Sequence, residues 1–253
     1  MYIDTHCHLD DDRFNVDEVI NNFLRVGVSK VINVGCNLKT TQFAKDLSEK
    51  YESVYFASGN HPSDIDAFSD EVCNELIYLA KHKKCVAIGE IGLDYHWEGF
   101  DKTKQIDAFI RQLEIAHTLK LPVSLHSRDA TKDMMDILKS HSSILKGGVM
   151  HCFSGSKETA KEVMDLGLMI GFGGTVTFKN AKNVVEVADF CPVDYILTET
   201  DCPYLSPEPY RGQLNEPKNI PIILDKLSKI KNIENEKLCE IIMNNANRVF
   251  NLK

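Results

Sequence analysis

Long apolar runs are missing from this 253-residue chain. Nothing in it approaches the roughly 20 consecutive apolar residues that a membrane span requires. No charged segment followed by an apolar one opens the sequence, so the expectation is a soluble, cytoplasmic protein without a secretory signal. Positive charge is scarce as well. Lysine and arginine number 29 against 37 aspartate and glutamate, a formal net charge of -8, which argues against coating a long polyanion non-specifically. A metal-lined pocket that takes a single phosphate is not excluded. Paired cysteine motifs are absent too: Cys7, Cys36, Cys73, Cys85, Cys152, Cys191, Cys202 and Cys239 form no CxxC pair. This removes the usual zinc-knuckle and redox spacings and leaves reduced thiols that serve mostly as small core residues. Low-complexity and linker-like stretches are lacking, and 43% hydrophobic content suffices for one large core, expected as a single domain over residues 1–253.

What the chain does have is a repeated alternation. Short runs rich in β-branched residues are followed by longer segments of helical period, the signature of βα units around a parallel sheet. Eight units are readable, with strands at Tyr2 to Thr5, Lys30 to Val34, Val54 to Ser58, Cys85 to Ile88, Pro122 to Leu125, Gly148 to Met150, Met169 to Gly171 and Tyr195 to Leu197. Helices are expected at Val16 to Val26, Thr40 to Tyr51, Asp70 to His82, Thr103 to Leu119 and Lys157 to Leu166, with Ile220 to Lys229 and Glu236 to Phe250 closing the chain. Continuous apolar runs such as Val31 to Val34 suit strands buried on both faces. The expected fold class is α/β, a TIM (β/α)8 barrel, with a doubly wound open sheet as the alternative.

The stretch Tyr2-Ile3-Asp4-Thr5-His6-Cys7-His8 ends an apolar run with two imidazoles two residues apart. On an extended strand that spacing puts both on one face, half of a site for a divalent ion. An isolated pair of this kind is as readily a surface feature; the rest of the chain decides. In a TIM barrel the active site lies at the C-terminal ends of the strands. His6 and His8 end strand one, His61 follows strand three, Glu90 strand four, His126 strand five, His151 strand six and Asp201 strand eight. His82, His117 and His141 sit elsewhere and are assigned to the surface.

His6, His8, Glu90, His126, His151 and Asp201 offer more donors than one tetrahedral ion uses, so two divalent ions are the economical reading. Glu90 is the natural bridge, since a carboxylate has two oxygens. Two ions about 3.5 to 4 Å apart clamp the attacking and leaving oxygens of a phosphoryl displacement, and Asp201 is placed to orient or deprotonate the water. Cys7, Cys152 and Cys202 each adjoin a proposed ligand, and in extended backbone they point to the other face.

Five segments carry a family resemblance: Ile3-Asp4-Thr5-His6-Cys7-His8-Leu9, Gly89-Glu90-Ile91-Gly92-Leu93-Asp94-Tyr95, His126-Ser127-Arg128-Asp129-Ala130, His151-Cys152-Phe153-Ser154-Gly155 and Glu199-Thr200-Asp201-Cys202-Pro203-Tyr204-Leu205. In order and spacing the chain resembles the TatD family of metal-dependent deoxyribonucleases, and the likeness extends to the terminal Asn244-Asn245-Ala246-Asn247-Arg248-Val249-Phe250. The resemblance implies a TIM-barrel hydrolase that cleaves phosphodiesters, removing nucleotides from DNA ends with magnesium or manganese. Zinc or nickel also suits such mixed donors. Glu90 stands where dihydroorotase-like and phosphotriesterase-like barrels carry a carboxylated lysine. The family often follows its strand-three His-Pro with a second histidine; here Ser63 follows His61-Pro62, which leaves that histidine's role unfilled.

Around the pocket, Arg128 would share the face of His126 if strand five continues, and its guanidinium fork suits a phosphate oxygen. His61 is a candidate for a second phosphate or a further metal position, Asp94 for orienting a ligand, and Tyr95, Trp97 and Tyr204 for stacking an unpaired base. Three functions stay open: DNA hydrolysis, most directly by a 3′–5′ exodeoxyribonuclease; hydrolysis of carboxylic esters or amides, such as deacylation of misacylated tRNA; and a non-catalytic metal-binding barrel, against which the full ligand set argues. DNA ends or single strands are the expected partner, no membrane is, and a monomer is the default.

Overall fold

Eight strands run parallel in chain order, each paired with the next. The computed structural model describes residues 1–99 and 101–252. The strands are β1 (Tyr2–Cys7), β2 (Val28–Val34), β3 (Val54–Ser58), β4 (Cys85–Asp94), β5 (Val123–Arg128), β6 (Gly148–Met150), β7 (Met169–Phe172) and β8 (Ile196–Thr198). Helices α1 (Val16–Arg25), α2 (Leu38–Lys50), α3 (Asp70–Ala80), α4 (Lys102–Leu119), α5 (Thr131–Ser140), α6 (Lys157–Asp165), α7 (Lys182–Phe190), α8 (Ile220–Lys231) and α9 (Asn235–Phe250) form the outer layer. This is the expected TIM barrel, and the alternative of an open doubly wound sheet is set aside.

The ring closes between β1 and β8 through side chains. Thr5 donates its hydroxyl to the Thr198 carbonyl and Thr198 donates to the Ile3 carbonyl, each at 3.0 Å. Beyond the strands, Asp201 N–H reaches the His6 carbonyl and His8 N–H the Cys202 carbonyl, both at 2.9 Å. Two segments nearly 200 residues apart are thus fastened at the end where the polar residues gather.

The helices begin where short polar side chains satisfy first-turn amides. Asn15, Ser69, Asp101 and Ser156 accept from backbone N–H groups at the starts of α1, α3, α4 and α6, and Asn37 forms a reciprocal capping box with Thr40 on α2. The inward face of α1 buries Val19, Ile20 and Phe23, and truncating a fully buried phenylalanine of this kind costs about 3–5 kcal/mol. On α9, Asn245 donates to the carbonyls of Val193 and Ile196 at 2.8 and 3.0 Å. Asn245 thereby ties the last helix to the start of β8, a structural role.

Strands four and five run further than the sequence suggests. The β4–β5 ladder continues through Gly92 opposite His126 to Asp94 opposite Arg128. It is held there because the Gln105 amide accepts from the Asp94 N–H and donates to the Asp94 carbonyl, both at 2.9 Å. Glu90, His126 and Arg128 therefore stand within strands instead of following them. Gly92 makes this possible: its φ is +143°, and a Cβ there would run into the His126 carbonyl.

Candidate metal centre

His6, His8 and His61 are each aimed by a group behind the ring. His8 Nδ1 donates to the Val34 carbonyl at 2.9 Å, and since a carbonyl only accepts, the free lone pair is on Nε2. His6 Nδ1 meets the Ser124 hydroxyl at 3.1 Å, which turns its Nε2 to a point 3.2 Å from that of His8. His61 is held by Ser63, whose hydroxyl lies 2.7 Å from Nδ1 and whose N–H donates to it at 3.0 Å. The serine that replaces the family's second histidine thus orients the first.

Glu90 lies at the middle, with its two oxygens facing different imidazoles. Oε2 is 3.4 Å from His6 Nε2 and 3.6 Å from His8 Nε2. Oε1 is 2.8 Å from His126 Nδ1, 3.0 Å from His151 Nε2 and 3.7 Å from His61 Nε2. Asp201 approaches on the first side, 3.5 Å from His8 Nε2. Asp94 approaches on the second, 3.1 Å from His126 Nε2. His6–His8–Glu90 and His61–Glu90–His126 are each compact enough to hold one ion. Asp201 itself has φ +54°, in the left-handed region that aspartate enters more readily than most non-glycine residues.

The electrostatics favour positive charge at this point. Burial works against ionisation of Glu90, yet His151, His61 and His6 and the hydrogen bond from His126 hold its carboxyl well below the usual range. Burial also opposes the charge on Asp201, and the His8 hydrogen bond and neighbouring imidazoles bring it below normal. Burial lowers His6 and takes His61 down to about 4, so both are neutral lone-pair donors at neutral pH. His8, His126 and His151 are also pushed down by burial, but adjacent thiol and carboxylate groups raise them above their ordinary value. Convergent lone pairs beside ionised carboxylates fit divalent cations, which would displace those protons.

The lining of this cavity of about 430 Å³ includes Trp97, Arg128 and Tyr204. Tyr95 is placed otherwise: its hydroxyl donates to Asp133 at 2.9 Å and its ring lies under Lys102, away from the lining. The structure therefore does not bring Tyr95 into the cavity lining with the other candidates. Cys152, at φ +44°, is not in extended backbone as expected, while Cys7 does point away, its thiol directed at the Ile32 carbonyl.

Two groups at the centre were not singled out from sequence. Glu199 is fully buried; its Oε1 accepts from Cys152 N–H and lies 3.6 Å from His151 Nδ1, while Oε2 has no partner. Its carboxylate fills the space that a side chain at Gly171 would need. Cys36 lies 3.7 Å from His8 Nδ1 and 3.8 Å from Glu90 Oε2 and lines the cavity, so it is not the core thiol expected; burial raises its pKa. Its position just past strand two was the available signal.

An eight-stranded barrel that brings these imidazoles and carboxylates to its C-terminal end belongs to the class of metal-dependent hydrolases with the amidohydrolase architecture. The model of the family "TatD related DNase" matches residues 3–251, and the chain belongs to this family. It is 40% identical to the metal-dependent hydrolase YabD of Bacillus subtilis, with all of both chains covered. It is 35% identical to the metal-dependent hydrolase YcfH of Escherichia coli, covering 99% of this chain and 96% of that one. The crystal structure of YjjV, a TatD homologue from Escherichia coli, superposes with a TM-score of 0.94 at 32% identity, covering 100% of this chain and 98% of the other.

Proposed function

We propose that this hydrolase cleaves phosphodiester bonds of DNA as a 3′–5′ exodeoxyribonuclease using two divalent cations. The observation that carries the reading is the division of the imidazoles between the two oxygens of Glu90. Glu90, His6, His8 and Asp201 would hold one cation, and Glu90, His126 and His151 the other, with His61 beside the second. Bound cations supply the positive charge that acidifies water and offsets charge on a phosphate.

The chain's own groups do the rest. Asp201, ionised at neutral pH, accepts the proton of the attacking water as its oxygen forms the new bond to phosphorus. The bond from phosphorus to the 3′-oxygen breaks, and that oxygen takes up a proton from solvent. Arg128, on the same face of β5 as His126, offers its guanidinium to a non-bridging phosphate oxygen. Glu199 orients His151 from behind, and Asp94 does the same for His126. Magnesium or manganese suits the turnover, and zinc or nickel suits the donors.

The lining favours a second reading in one respect. Asp10, Asp11, Glu90, Asp94 and Asp201 face the cavity and Arg128 is the one arginine or lysine among the described lining residues, a surface that repels a small uncharged carboxylic ester or amide less than it repels a polyanion. A substrate panel separates the two. Metal-stripped protein reloaded with one ion at a time is offered single-stranded DNA, duplex DNA, RNA, aminoacyl-tRNA and simple esters. Release of 5′-mononucleotides from a 3′ end is expected; turnover confined to the carboxylic substrates overturns the phosphodiester reading.

A further inference from the structure

Strand β2 carries no histidine, aspartate or glutamate, and what it brings to the centre is the thiol of Cys36, two residues past its end. The junction with α2 is fixed on several sides. Cys36 N–H donates to the Thr40 hydroxyl and the Cys36 carbonyl accepts from His61 N–H, both at 2.8 Å. One residue earlier, the Gly35 carbonyl accepts from Glu90 N–H at 2.9 Å, and Thr41 fills the space that a Cβ on Gly35 would need. The backbone thus holds Cys36 against the segments that carry His61 and Glu90, and its side chain lines the cavity. Its sulfur is 3.8 Å from Glu90 Oε2, the oxygen that faces His6 Nε2 at 3.4 Å and His8 Nε2 at 3.6 Å. Donors on one tetrahedral zinc, about 2.0–2.2 Å out for nitrogen and oxygen and about 2.3 Å for sulfur, stand roughly 3.3–3.7 Å from one another. The three separations from Oε2 are close to that spacing. The thiol's other neighbour, His8 Nδ1 at 3.7 Å, already gives its proton to the Val34 carbonyl.

We infer that Cys36 is a further donor to the cation held by His6, His8, Glu90 and Asp201, and that its sulfur makes this position select a thiophilic ion such as zinc or cobalt(II) over magnesium or manganese. The inference rests on the two-cation reading and deepens it. Thiolate prefers soft and borderline ions, whereas magnesium and manganese are best served by carboxylate and water. The two positions are therefore unequal. One side of Glu90 offers sulfur besides imidazole and carboxylate, while the neighbours of Oε1 are the imidazoles of His126, His151 and His61. As the bond from sulfur to the cation forms, the thiol proton leaves to solvent, and the charge gained by the donors offsets that of the ion.

Cobalt(II) is the probe, because a cobalt–sulfur bond adds a charge-transfer band in the near ultraviolet that nitrogen and oxygen donors do not produce. The full chain, stripped of metal and kept reduced, is titrated with cobalt(II) while the spectrum is followed, and the metal retained after desalting is measured by elemental analysis. The band is expected to grow with the first equivalent. It is expected to be absent from Cys36→Ser, which keeps seven of the eight cysteines and still retains cobalt. By competition with a chelating dye, zinc affinity of Cys36→Ser falls at least about tenfold, while manganese affinity stays close to that of the parent. Cobalt retained by the parent without the band, or a band that persists in Cys36→Ser, overturns this inference alone. The parent spectrum decides even if the variant does not fold. Failure of the parent to retain cobalt, zinc or manganese overturns the inference together with the two-cation reading.

Discussion

His151 stands between two carboxylates, its Nε2 3.0 Å from Glu90 Oε1 and its Nδ1 3.6 Å from Glu199 Oε1. At 3.6 Å the second contact is electrostatic and Nδ1 has no hydrogen-bond partner, but the Glu199 charge favours a proton on Nδ1, which would leave the Nε2 lone pair for the centre. Glu199→Gln keeps the volume and can still accept from Cys152 N–H, but it removes the charge that favours this arrangement. Cation affinity is expected to fall about 10- to 100-fold, read by competition with a chelating dye, while thermal melting of the metal-free protein changes little. Unaltered affinity would take Glu199 out of this role.

Glu90→Gln tests the centre itself. The substitution preserves shape in a buried position but withdraws the negative charge shared by both groups of imidazoles. The variant is expected to retain at most one equivalent of cation and to lose most turnover with the fold intact. Metal analysis returning two full equivalents would remove Glu90 from the bridging role.

The ligand candidates were legible because a parallel barrel imposes one rule on all of its strands: side chains that do chemistry follow the apolar run. His8, His151 and Asp201 obey it with no tertiary information, while His6 lies one residue inside the end of β1. Glu90 and His126 were found by the same rule although they lie inside β4 and β5, since those strands continue past their apolar segments on a ladder that only the partner strand and Gln105 reveal. Glu199 was hidden by a different cause. Its position two residues before Asp201 says nothing of the pocket against Gly171, which exists because β7 and β8 pair. Cys36 was misjudged for a simpler reason: cysteine is so often a core residue that its place after β2 carried less weight than its composition class. The β1–β8 closure through Thr5 and Thr198 hydroxyls could not be read locally at all, because each threonine looks like any strand residue until its partner is known.

Cation binding is expected to raise thermal stability. Lone pairs and ionised carboxylates held together against one another gain from any ion that binds the folded chain alone. At a free cation concentration 100 times the dissociation constant the gain is about 2.7 kcal/mol, which for a chain of this length corresponds to a rise in melting temperature of roughly 5–11 °C. Differential scanning fluorimetry with manganese, zinc and magnesium, each against a chelator control, measures it. No shift with any of them would mean that the clustered donors do not bind divalent ions.

Arg128 separates a phosphate contact from a structural one. It is exposed on the last residue of β5, lines the cavity and lies beside the Trp97 ring. Binding a non-bridging oxygen through its fork makes Arg128→Ala costly for DNA hydrolysis, by about one to two orders of magnitude. Arg128→Lys recovers only part of that, since an ammonium cannot form the planar two-point contact. Cleavage of a small uncharged ester at the same centre should change little, because it has no phosphate oxygen to offer. Parallel kinetics on both substrates, with metal content measured for each variant, decide the matter: equal losses at full metal occupancy would assign Arg128 to the architecture of the rim and leave the phosphate without this anchor.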